Sequence, residues 1–194
     1  GNLLWELRKD VFGSYLSYSG ERDFLIQSSR PSRDMAPGES GTRMSVLKGA
    51  DGSVVWDKSN KYETFPIIHG NTIITEGAFF SLATGEKLTR NDPMTGASED
   101  WTWKRFYGCN YPIACENLIT FRSGAAGFFD YASDGGTGNF GGFKSGCTVN
   151  LIAADGVLNA PDYTRTCSCP YQNQTSLAFV HMPDAGIEYW TFNP

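Results

Sequence analysis

Runs of four to six apolar or β-branched residues, cut by Gly, Asp, Asn and Pro, recur from one end of this chain to the other. Such runs read as short strands. They fall at Asp23–Ser28, Arg43–Leu47, Val54–Asp57, Thr64–Ile68, Thr72–Thr75, Phe79–Leu82, Asn117–Arg122, Gly127–Tyr131, Val149–Ala153, Val157–Ala160, Ser176–His181 and Glu188–Phe192. Helical spacing is almost absent. Only the opening LLWELRKDVF carries a trace of it, and its Trp suits a strand equally well. Many short strands in 194 residues predict an all-β chain: a sandwich, a barrel or a propeller.

Internal repetition selects the β-propeller. MSVLKGADGSVVWD (Met44–Asp57) is an apolar strand, an Asp51-Gly52 turn and an apolar strand carrying Trp56. FFSLATGEKL (Phe79–Leu88) repeats the arrangement around Thr84-Gly85. GFFDYASDGGTGNF and LAFVHMPDAGIEYWTF continue it, the last with Trp190 in the place of Trp56. Upstream of the units lie further short apolar strands beginning at positions 24, 72, 117 and 156. An interval of roughly 40–50 residues with four strands per unit is the propeller period. The expected blades cover 8–58, 59–91, 101–144 and 145–194, preceded by an outer strand over 1–7, GNLLWEL. About four four-stranded blades fit a segment of a larger ring, with the remaining blades, or another chain, as partners completing it.

Composition narrows the functions. Charged residues make up 19% of the chain and aromatics 14%, the net charge is −5, and no basic stripe exists. A nucleic-acid partner is therefore not expected. No apolar run approaches the ~18 residues of a membrane-spanning helix. Five cysteines, Cys109, Cys115, Cys147, Cys167 and Cys169, all lie in the second half. In loop-rich surroundings disulfides are the first reading, and they imply a secreted, periplasmic or cell-surface location. Zinc is the rival reading, but CxC at Cys167 and Cys169 is a poorer chelating pair than CxxC. The expectation is Cys147 paired with Cys167 or Cys169, and Cys109 with another cysteine, leaving one of the five over.

The repeat units, with an apolar strand, a Thr-Gly or Asp-Gly turn and an apolar-Trp strand, resemble the quinoprotein-like (PQQ-binding-like) β-propeller repeat. The stretches RFYGCNYPIACENLITFRSGAAGFFDY (Arg105–Tyr131) and GTGNFGGFKSGCTVNLIAADGVLNAPDYTRTCSCPYQNQTSLAFVHMP (Gly136–Pro183), with the closing WTF, resemble the C-terminal blades of secreted bacterial members of that group. The resemblance implies the fold more strongly than an activity. Quinone-dependent dehydrogenases of the wider superfamily carry an adjacent-cysteine disulfide and a calcium set. Here the nearest approach is Cys167-Ser168-Cys169. No cofactor is expected, PQQ with calcium being the alternative, and no metal.

Few residues offer chemistry. His69 and His181 sit at strand ends among apolar residues, where a structural histidine is the plain reading. No GxSxG elbow, GxGxxG or GxxxxGK is present. Candidate ligand contacts are Trp101 and Trp103, which alternate with polar residues and would place two indoles on one strand face, either as inter-blade packing or as a sugar-stacking platform. Arg122 ends the apolar ITFR strand, as a salt bridge, carbonyl clamp or ligand contact. Asp162, Tyr163 and Arg165 lie in a polar loop flanked by cysteines, the kind of segment that meets ligands at a propeller mouth. Gly85–Asp100 reads as a polar loop. Two function classes follow: a non-catalytic scaffold or glycan- or protein-binding module, and, as the alternative, an enzyme with its site at the propeller mouth.

Overall fold

The computed structural model describes residues 1–29, 41–108, 110–143, 151–161 and 176–181. The chain divides into two units, Gly1–Lys104 and Arg105–Pro194. Among the described residues there is no helix, and every ladder is antiparallel.

In the first unit β1 (Tyr15–Ser19), β2 (Phe24–Ser28), β3 (Arg43–Lys48) and β4 (Val54–Ser59) form one sheet in chain order. A second sheet follows from β5 (Ile67–His69), β6 (Thr72–Thr75) and β7 (Ala78–Ser81), then a separate hairpin, β8 (Thr89–Asn91) and β9 (Ser98–Asp100). Chain-order antiparallel sheets of this kind are propeller blades. The second unit repeats the pattern. β10 (Ile113–Ala114), β11 (Leu118–Ser123), β12 (Ala125–Asp130) and β13 (Gly136–Asn139) make one sheet, and β14 (Ile152–Ala154), β15 (Val157–Ala160) and β16 (Leu177–Val180) another.

The repeated turns have one geometry. Gly52 N–H donates to Lys48 O and Lys48 N–H to Ser53 O; Gly85 N–H donates to Ser81 O and Ser81 N–H to Glu86 O. Both glycines are left-handed, at φ 70° and 68°. Each turn is covered by an indole. Trp56 Nε1 donates to Leu82 O at 2.9 Å and its ring lies over Gly85; Trp5 Nε1 donates to Gly49 O at 2.6 Å and its ring lies over Gly52. A Cβ on either glycine would stand 2.6–2.9 Å from the ring, inside van der Waals contact. Trp56 thus belongs to one blade and seals the turn of the next. Residues 1–7 are assigned to no strand, yet Trp5 takes the place that an outer-strand Trp takes.

Around Trp56 lies the core between the two sheets: Ile26, Met44 and Val46 from the first, Ile73, Ala78 and Phe80 from the second, all buried. Strand alternation puts these side chains on one face of each sheet. Tyr15 adds to this face by stacking on Phe65 at 4.1 Å between centroids.

Several strand expectations need correction. Thr64–Ile68 is realised only as Ile67–His69, since Pro66 lacks a ladder N–H. Gly85–Asp100 is no plain loop. In the first sheet Val55 is the extra residue of a bulge, with Val54 opposite Leu47 and Trp56 opposite Val46. At the same place in the second sheet, Phe79 accepts from Leu88 N–H at 2.9 Å and donates to Trp101 O at 3.2 Å. The hairpin β8–β9 is inserted between them, its base closed by Trp101 N–H to Leu88 O at 2.9 Å. Five strands went unread: YLSYS of β1, both strands of the polar hairpin, the two-residue β10, and GTGN of β13. Glu188–Phe192 and the start of Val149–Ala153 lie outside the described residues.

Turn carboxylates make the fold pH-dependent. Asp51, Asp92 and Asp130 all titrate below the usual carboxylate range, because Ser53, Thr95 and Ser133 respectively donate hydrogen bonds to them. A depressed folded pKa means stability that is present above the unfolded value, about 3.9, and lost as pH falls through the folded one. The thermal midpoint is expected to hold at neutral pH and to fall below about pH 4. In the triple variant Asp51→Ala, Asp92→Ala, Asp130→Ala the acid slope should flatten. An unchanged slope in thermal melts across that range would remove these turns from the account.

Candidate functional site

β11 is buried on both faces, as LITFRS between two neighbours requires. Ile119 and Phe121 have no exposed surface, and Thr120 Oγ1 donates to Leu151 O at 2.8 Å. Arg122 follows at the end of the strand and is buried. Its guanidinium lies 5.5 Å from the centroid of the Tyr107 ring, a cation–π contact. The segment carrying Tyr107 is tied to the strand end by three hydrogen bonds and closed on itself by a fourth. Arg122 N–H donates to Asn110 Oδ1 at 3.0 Å, and Arg105 Nη1 to Asn110 O at 2.5 Å. Phe106 N–H donates to Ser123 Oγ at 2.9 Å, and Gly124 N–H to Tyr107 O at 2.7 Å. Asn110, itself buried, is the acceptor for both arginines. The guanidinium is thus held inside the unit, against the Tyr107 ring.

Trp101 and Trp103 belong to the first unit. Trp101 stacks on Phe79 at 4.4 Å and an interplanar angle of 10° and is half-buried. Trp103 is buried, and its carbonyl accepts from Gly77 N–H at 3.0 Å. Both lie along the outer edge of the second sheet, Trp101 O accepting from Phe79 N–H and Trp103 O from Gly77 N–H. Arg122 lies in the other unit. Asp162, Tyr163 and Arg165, and the cysteines Cys109, Cys147, Cys167 and Cys169, lie outside the described residues. Cys115, the one described cysteine, is a thiol with its Sγ 3.3 Å from Leu118 O. His69 pairs with Thr72 at the β5–β6 turn.

Two of the open concave surfaces among the described residues are apolar. In the second unit a groove of about 380 Å³ is walled by Phe140, Phe143, Leu158 and Phe179, with His181 at its edge. Its rings touch in series: Phe128–Phe140 at 4.7 Å, Phe140–Phe143 at 6.3 Å and Phe143–Phe179 at 4.5 Å. The first unit has a groove of about 350 Å³ beside β1, under Trp5 and over Leu25 and Leu47. Both volumes fall in the range of small-ligand and side-chain sockets. Sequence reasoning missed both, as well as Tyr107 and Asn110. Phenylalanines spread over residues 128–179 reveal a shared wall only once the strands are paired.

No protein-family model and no curated protein sequence matches the chain. Solved structures do. BamB from Moraxella catarrhalis, a β-propeller, is similar over 81% of this chain at 13% identity and a TM-score of 0.50. This chain spans 46% of that protein's length. The computationally designed Ika4 protein is similar over 93% of this chain and 98% of its own, at 11% identity and a TM-score of 0.54. Likeness at such identities concerns the fold. With the antiparallel sheets in chain order, it makes this an all-β chain of the β-propeller class.

Proposed function

We propose that the chain is a quinoprotein-like propeller segment that works without catalysis, as a scaffold or as a glycan- or protein-binding module of a secreted bacterial protein. One observation carries this reading. Among the described residues, Arg122 and the turn carboxylates are engaged in holding the fold, whereas the two grooves described above are apolar and aromatic. Arg122 is enclosed on Tyr107 and its backbone is held by Asn110. The carboxylates with lowered pKa are turn caps. The Phe140–Phe143–Phe179 wall is what a binding site for an apolar side chain or a sugar face needs. The Trp-over-Gly turn, repeated at Trp5 and Trp56, supports the quinoprotein-like assignment and further blades as partners.

The test uses protein isolated from its native source. An absorbance spectrum without a quinone band after dialysis, together with depletion of the protein by an insoluble polysaccharide or by an immobilised partner protein, is the expected result. A quinone band that survives dialysis would overturn the non-catalytic reading. Phe143→Ala and Phe179→Ala should lower the retained fraction at least tenfold, and unchanged retention would move the binding surface off this groove. Ten-fold corresponds to about 1.4 kcal/mol, within reach of one aromatic contact in a groove.

A further inference from the structure

The outer face of the first sheet repeats, position by position, a face that is covered in the second. The turn bonds make Lys48 equivalent to Ser81, so Leu47 corresponds to Phe80. Across the ladders Leu25 then corresponds to Ile73, and Tyr18 to Ile68. Phe80 and Ile73 are fully buried, and Ile68 packs with them, under the first sheet's Ile26, Val46 and Trp56. Of their counterparts, Leu47 is buried and Leu25 half-buried, but Tyr18 is 55% exposed and its face-mate Leu16 65%. Leu25 and Leu47 floor the groove beneath Trp5. A face built to the same pattern as an established blade interface is a socket for the back of another blade.

The chain also carries such a back. In β14–β16, Leu158, Ala160 and Leu177 turn toward the β10–β13 sheet. By alternation Ile152, Ala154, Val157, Asn159, Ala178 and Val180 turn away, apolar but for the Asn. Ile152 is 46% exposed and Val180 69%. Socket and back are two different surfaces of one chain, so copies join head to tail, and such contacts close into a ring when the rotation permits. We infer that a second copy of this chain seats its β14–β16 face on the β1–β4 face of the first. This rests on the propeller reading, though not on what the propeller binds.

Light scattering or sedimentation equilibrium on residues 1–194 tests it. The expected mass is twice the 21.3 kDa of the chain or a higher multiple of it. A particle of 21.3 kDa at every concentration overturns the inference and leaves the face to a blade of a longer polypeptide or to another protein. Leu16→Asp and Val180→Asp each place a charge on an exposed residue, which an unassociated fold tolerates. Circular dichroism should stay native while each variant alone runs as a monomer. A dimer that persists in either variant overturns the inference. Mixing the two variants pairs an intact socket with an intact back, and dimers should reappear; a mixture that stays monomeric excludes head-to-tail docking. A quinone band would leave this association standing, and a monomer would leave the binding-module reading standing.

Discussion

Trp56→Ala should cost the first unit about 3–5 kcal/mol, read as a lowered urea midpoint. The indole is buried, fills the space between two sheets and covers Gly85, and its Nε1 donates to Leu82 O. Trp56→Phe keeps most of the ring but leaves that carbonyl without its donor, so about 1–3 kcal/mol should go. Gly85→Ala should cost about 1–2 kcal/mol for its left-handed backbone, with a further loss because the new methyl meets the ring. The ring contact makes the pair non-additive: in the Trp56→Ala background the Gly85→Ala penalty should shrink toward the backbone share. Strict additivity in the double-mutant cycle would show that the indole does not hold the turn. Trp5→Ala, removing the same contact from a half-buried site, should cost less than Trp56→Ala.

Asn110→Ala should cost the second unit about 2–3 kcal/mol. One buried amide side chain accepts from the Arg122 backbone, and the carbonyl of the same residue accepts from Arg105. Truncation removes the first acceptor and frees the loop that presents the second. Asn110→Asp retains the side-chain acceptor and adds a negative charge beside the Arg105 guanidinium, so it should recover most of the loss. Denaturant melts of the two variants decide the matter. An Asp variant as unstable as the Ala variant would mean that loop geometry, not hydrogen-bond acceptance, is what Asn110 supplies.

TIIT and LITF announce themselves in the sequence because both their faces are buried, which demands Ile and Phe there; VVWD is legible through Trp56, the buried residue of its strand. The turns were legible because left-handed Gly52 and Gly85 follow polar residues at fixed offsets. What stayed hidden is edge structure. TRN and SED form a hairpin with no apolar residue, held by Arg90 to Glu99 at 2.7 Å and by Asp92 accepting from Met94 and Thr95. GTGN pairs along β12 as an outer strand without burying a large side chain. YLSYS alternates correctly, but its Leu16 and Tyr18 face outward, so its apolar content did not point to a core. The candidate site was legible only in part. Arg122 drew notice as a charge closing an apolar strand, and the strand's burial explains it. Asn110 and Tyr107 carry no signal beyond their identities, because what they do depends on the return of β11 beside them.

The hairpin in the second blade enters where the first blade has a bulge. A strand is already out of step at a bulge, since two residues face one, and the ladder resumes beyond it whatever length intervenes. Leu88 and Trp101 show this directly: they flank the insertion, close it with one hydrogen bond and leave Phe79 bonded on both sides. The outer rim of each blade therefore has a splice point. Foreign sequence entered there would lengthen the rim and leave the inner strands, the sealed turns and the indole that covers them as they are.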